Sequence, residues 1–275
     1  MPDLQIRHVI FTRVEKRYSL RNYSGYQIVY QSPALGKETM QIEKRLQCFE
    51  TGRQRNERYQ FFWTEQDQAV LAKSIPLLQP DPDVIDLAQR DAFLAHALVV
   101  SKEEFLSVRN DPFAVFDAAE RVGLFAEDEE QLVNYLHTEA PVEKLSTPMR
   151  KQADVNYLLD NWLPQELFKL YQLGLQAPAL SRQKQSLMLL AEDLDEIFLL
   201  LKLILMLIPP DDRVACTFDT YVNGCYPAAG AFWSVGSSKA RSNAGFFPIR
   251  LVEQRLETKG GDDGFLNPKA LACSA

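Results

Sequence analysis

Between Leu4 and Val100 the chain is rich in strand-forming residues, and this stretch constrains the fold more than any other. Leu4 to Val14 carries Ile6, Val9, Ile10 and Phe11 and predicts an opening strand. Tyr23 to Gln31, dense in aromatic and β-branched residues, predicts a second, which Pro33-Ala34-Leu35-Gly36 breaks. Glu38 to Phe49 then has helical spacing through Met40, Ile42 and Leu46. Arg58 to Thr64 and Ala69 to Ile75 predict a hairpin across the polar turn Glu65-Gln66-Asp67-Gln68. After a proline-rich loop from Leu77 to Asp86, Asp91 to Val100 predicts a fully buried strand.

The texture then turns helical. Ser101-Lys102-Glu103-Glu104 is a capping box, in which a serine hydroxyl and a glutamate carboxylate satisfy amides at the helix start. Asp111-Pro112 opens a second helix, and Asp128 to His137 forms a third with its acidic residues early, where the helix dipole favours them. The polar stretch 138–147 is the expected domain boundary. Helices are expected near 149–161, 164–175 and 181–208, the last stopped by Pro209-Pro210. Strands are expected at Val214 to Phe218, Ala231 to Val235 and Gly245 to Leu251. The expectation is an α+β protein: a mostly antiparallel sheet domain with a flanking helix over 1–140, a helical region with a short C-terminal β segment over 148–258, and a loose tail over 259–275.

Composition sets outer limits on function. A hydrophobic fraction of 46% and a charged fraction of 24% suffice for a packed core. A net charge of −7 argues against nucleic acid as the main ligand, which needs a broad basic surface. Lys37, Lys44, Arg45, Arg53, Arg55 and Arg58 form a local basic cluster, expected to be a solvated face. The four cysteines (Cys48, Cys216, Cys225 and Cys273) show no CxxC spacing and only three histidines exist, so neither a metal site nor a cofactor is expected. Met1-Pro2-Asp3 runs straight into a strand, and free thiols in a reducing cytoplasm are expected. The apolar run from Ile197 to Ile208, interrupted by Lys202, falls short of the about 20 residues a membrane span needs, so no membrane partner is expected.

Individual residues leave chemistry open. His96 lies among apolar neighbours and is either a satisfied structural histidine or a general base, and His8 in the first strand could meet it across the sheet. Arg90-Asp91 could place a charge at a cleft mouth or form a surface pair. Ser32 lacks a nucleophile elbow and fits a strand-ending turn before Pro33. Asp219 fits a local turn better than a ligand site. Cys225 has no nearby basic residue to activate it. Leu187, Leu190, Leu194, Ile197 and Leu201 form one stripe if 181–208 is a single helix, either a core face or a partner-binding face.

Phe11-Thr12, Gly25-Tyr26-Gln27 leading to Ser32-Pro33, the aromatic hairpin around Arg58-Tyr59-Gln60-Phe61-Phe62, Phe93-Leu94-Ala95-His96-Ala97-Leu98 and Phe218-Asp219-Thr220 together resemble the N-terminal and middle regions of the GTPase-associated protein family of bacterial conflict systems. Asp91 and Ala92 stand where members often carry glycines. The resemblance implies a non-catalytic adaptor or regulatory subunit of a prokaryotic defence or signalling complex, with a protein partner such as an NTPase or a regulated effector. It assigns no catalytic residues. Two other functions stay open: a hydrolase or nucleotide-processing domain using His96 and His8 with Arg90, and an accessory subunit of a CRISPR-type effector that restrains a transcription factor.

Overall fold

A computed structural model describes residues 2–47, 49, 57–77, 92–137, 143–148, 162–222, 227–239, 245–252 and 255–258. The chain divides into two compact units, Met1–Met149 with Asn223–Tyr226, and Arg150–Val222 with Pro227–Ala275. The protein is α+β. The expected helix at 149–161, the loop at 78–86, Arg90, Cys225 and the tail at 259–275 lie outside the described residues.

The first unit is built on a twisted antiparallel sheet. Its strands are β1 (Asp3–Val14), β2 (Gly25–Gln31), β3 (Arg58–Trp63), β4 (Gln68–Leu77) and β5 (Ala92–Ser101), ordered β3-β4-β5-β1-β2. The hairpin falls where the sequence predicts it, with Trp63 opposite Ala69. A further strand, β6 (Glu143–Ser146), pairs with the start of β1, Leu4 opposite Leu145. The polar stretch expected to separate two domains thus contains a strand of the first sheet: Leu145 is apolar and buried, which pattern alone could not distinguish from a loop.

Among the described residues, four helices cover this sheet. Helix α1 (Glu38–Leu46) packs on one face, burying Ile42 and Leu46. Helices α2 (Lys102–Ser107), α3 (Pro112–Arg121) and α4 (Glu129–His137) cover the other. Ser101 caps α2 as its sequence predicts: Glu104 N–H donates to Ser101 Oγ and Ser101 N–H to Glu104 Oε2, each at 3.3 Å. The other carboxylate oxygen of Glu104 accepts the Gln5 amide of β1 at 2.8 Å, so one side chain both caps the helix and fixes it to the sheet. Asp111 caps α3, with Pro112 at its first position.

Antiparallel partners share a face, so the register shows which side chains meet. Ile10 lies opposite His96, His96 opposite Lys73, and Lys73 opposite Tyr59. These residues form one row across the face under α3 and α4. On β2 a bulge at Val29 makes two residues span one step of β1, so Ile28 faces Phe11 but Tyr30 faces Ile10. The bulge brings the Tyr30 ring onto the histidine face, 5.6 Å from Tyr135 of α4.

The second unit contains α5 (Pro164–Leu175), α6 (Ala177–Arg182), β7 (Ser186–Leu190), α7 (Leu194–Leu207), β8 (Phe218–Asp219), β9 (Ser234–Ser237), β10 (Phe246–Val252) and β11 (Arg255–Thr258). Its strands run in the order β11-β10-β7-β9-β8, parallel from β10 to β8 and antiparallel at β11. The single helix expected over 181–208 is replaced by β7 followed by α7. The run Ser186–Leu190 is buried on both faces, and a doubly buried strand has the same uninterrupted apolar pattern as a core helix. Leu187 and Leu190 belong to β7, whereas Ile197 and Leu201 are buried on α7, so the expected stripe does not exist. The strand expected at 214–218 shrinks to Phe218–Asp219 behind a 3-10 turn at Asp212–Ala215, and the one expected at 231–235 begins at Ser234.

Gly236 is required by close approach. A Cβ there would stand 2.0 Å from the Thr220 carbonyl oxygen. No helix among the described residues is long and apolar enough to cross a membrane.

Candidate functional site

The sequence left open whether His8 and His96 meet. They are diagonal neighbours on adjacent strands, since His8 faces Leu98 and Ile10 faces His96. His8 Nδ1 and His96 Nε2 are 2.9 Å apart. The backbone decides which nitrogen carries each proton. The Ala126 amide donates to His96 Nδ1 at 2.9 Å, so that nitrogen is an acceptor and the neutral ring holds its proton on Nε2. His96 therefore donates to His8 Nδ1, which leaves the proton of His8 on its Nε2.

Rings close over the pair. Tyr135 of α4 lies 5.1 Å from His96 and 5.6 Å from His8, and Phe125 meets His96 edge-on at 5.8 Å. His8 is 1% exposed and His96 0%. Burial lowers the pKa of His8 to about 4. Burial, and then the neighbouring His8, hold that of His96 well below the usual imidazole range. Both are neutral at physiological pH, and both are buried.

The other motif positions hold the frame. Ser32 N–H donates to the His8 carbonyl at 2.9 Å, while Ser32 Oγ accepts the His8 amide at 2.8 Å. Ser32 is a clamp on the backbone beside His8, and Pro33 follows it in the exposed turn. Gln27 anchors the loop before β2: its amide donates to the Tyr23 carbonyl at 2.8 Å and its carbonyl accepts from Ser19 Oγ at 2.8 Å. Gly25 sits at φ 135°, in backbone that favours glycine. Tyr26 stacks on Phe93 at 4.8 Å on the α1 face, away from the histidines. Asp219, in the second unit, accepts the Tyr221 amide at 3.2 Å in the local turn its sequence suggests.

Residue reading missed a second polar cluster in the same row. Lys73 of β4 has a side chain only 4% exposed, with Nζ 2.6 Å from Glu127, 3.0 Å from Glu120 and 3.3 Å from Glu57. Burial alone would disfavour its charge. The Glu127 hydrogen bond and the charges of Glu57 and Glu120 outweigh that and raise its pKa. Tyr59 donates towards Glu57 at 2.6 Å and lies 3.1 Å from Glu120; burial and these carboxylates push its hydroxyl pKa up. The signal was a lone lysine inside the apolar strand Gln68–Leu77, but its partners come from three distant segments.

Of the expected basic cluster, Arg53 and Arg55 lie outside the described residues, and the described members do not form one solvated face. Arg58 is 2% exposed, and Arg45 lies over the Phe62 ring at 5.9 Å. Arg58 lies opposite Ser74 of β4, and both are buried. Cys216 is buried, its thiol 3.7 Å from the Gly174 carbonyl, and burial pushes its pKa up. Among the described residues no group of His, Cys, Asp and Glu side chains could hold a metal ion.

This geometry defines a sheet domain whose titratable residues cross-brace its core. No known protein family matches the chain, and no curated protein matches it.

Proposed function

We propose that the chain is a non-catalytic adaptor or regulatory subunit of a cytoplasmic prokaryotic defence or signalling complex, binding a protein partner such as an NTPase or a regulated effector. The burial of His8 and His96 is the observation that carries this reading. The residues a hydrolase would need are spent on holding β1, β5 and the segment before α4 together. The motif positions behind the family resemblance, Gln27, Ser32 and His96 among them, likewise act as framework, which suits a scaffold better than a reactive centre. Co-expression of the tagged chain with the products of adjacent genes tests it. A stoichiometric complex on size exclusion is expected, and recovery only as a free monomer overturns it. A partner that is a transcription factor would favour the CRISPR-type accessory role.

The 2.9 Å contact between the histidines favours one rival, hydrolysis or nucleotide processing through a base pair of imidazoles. That rival requires Tyr135 and the Ala126 segment to move aside and admit a reactant. A turnover abolished by His96→Gln in a variant that keeps its fold would establish it.

A further inference from the structure

A cavity of about 550 Å³ opens at the β2 edge of the histidine face, within the first unit. Its size falls in the range of about 300–1,000 Å³ typical of small-molecule sites. Three tyrosines from three separate elements converge on it: Tyr18 from the 3-10 turn Lys16–Tyr18, Tyr30 from β2 and Tyr135 from α4. All three are half-buried, each contributing ring surface to the wall. Arg17 stands at the rim with its guanidinium 5.1 Å from the Tyr18 ring, Gln31 supplies a carboxamide, and Leu136 is part of the apolar lining. The Val29 bulge is what turns Tyr30 into this space.

We propose that this cavity binds a planar heteroaromatic anion of mononucleotide size. Aromatic faces stack flat heterocycles with little regard to identity. A guanidinium stacked at the rim recognises phosphate by paired hydrogen bonds and charge. The carboxamide of Gln31 offers both a donor and an acceptor to the edge of a base. Among the described residues that line the cavity none is acidic, which suits an anion. Tyr135 forms a wall of the cavity and also packs against both histidines, so an occupant bears on the cross-braced core without touching it. The ligand is bound and not transformed, and an adaptor carrying this site would respond to a small molecule as well as to its protein partner.

Calorimetric titration of the full chain with AMP, GMP, UMP and FMN tests the proposal, with adenosine and inorganic phosphate as the comparison probes. At least one of the four anions is expected to bind saturably at one site, with adenosine and phosphate each at least about tenfold weaker. Arg17→Ala, at the exposed rim, and Tyr18→Ala, in the half-buried wall, should each weaken binding by about tenfold or more, with the melting temperature of Arg17→Ala staying near that of the wild type. Affinity in the wild type should also fall as salt is raised, a reading that needs no variant. Absence of saturable binding by any of the four up to about 1 mM, or binding unchanged in folded Arg17→Ala and Tyr18→Ala, overturns the site.

Discussion

Lys73 and His96 sit directly opposite one another on β4 and β5, and two consecutive residues before α4 hold them both. The Ala126 amide bonds the imidazole and the Glu127 carboxylate bonds the ammonium. A charged and a neutral titratable group thus lie side by side in one buried row, each fixed by the same short segment. The arrangement ties the helical cover to the sheet through polar contacts, where a purely apolar face would let α4 slide.

Acid should weaken the fold through the histidine pair. Both imidazoles have folded-state pKa values below the ordinary 6.5, that of His8 about 4. Below pH 6.5 the unfolded chain takes up protons that the folded chain refuses, so this contribution is fully present above pH 6.5 and is lost as pH falls towards 4. The loss is up to about 1.4 kcal/mol per pH unit for each histidine. Urea unfolding of the wild type and of His96→Gln between pH 7 and 4.5 should show a shallower slope in the variant, and parallel slopes would refute the assignment.

Replacing Lys73 with methionine keeps an unbranched stem, removes the ammonium and leaves three carboxylates facing one another. The glutamates are partly exposed, so solvent screens much of the repulsion, and the expected loss is about 1–3 kcal/mol. Added salt should restore the variant more than the wild type. Equal salt responses in denaturant melts would argue against an electrostatic origin.

Ser32→Ala should cost about 1–3 kcal/mol, because the buried His8 amide loses its acceptor. Ser32→Thr, which keeps the hydroxyl, should recover part of that loss. A stability unchanged by the alanine substitution would mean that the clamp contributes nothing.

Gly236→Ala should disrupt the second unit by at least about 2 kcal/mol, since the added methyl meets the Thr220 carbonyl inside contact distance. Gly36→Ala, where the nearest atom is the tip of the Glu38 side chain at 3.4 Å, should be near neutral. Paired thermal melts check both, and similar melting temperatures for the two variants would count against the close approach.

What the sequence determined by itself was local. The capping box Ser101–Glu104, Pro112 at the start of α3, the hairpin of β3 and β4 and the buried strand of β5 all follow from neighbours a few residues apart. Such signals rest on backbone preference and short-range hydrogen bonds, which act before the chain is compact. Tertiary structure decided the rest. Ser186–Leu190 became a strand because parallel neighbours on both sides pair its backbone, a condition invisible in an apolar run that suits either element. His8 and His96, 88 residues apart, became one hydrogen-bonded pair only through the register of β1 on β5. Lys73 remained charged inside the fold only because Glu57, Glu120 and Glu127 arrive from three other segments. Side chains distant in sequence acquire partners only when the sheet closes, and burial then sets their protonation.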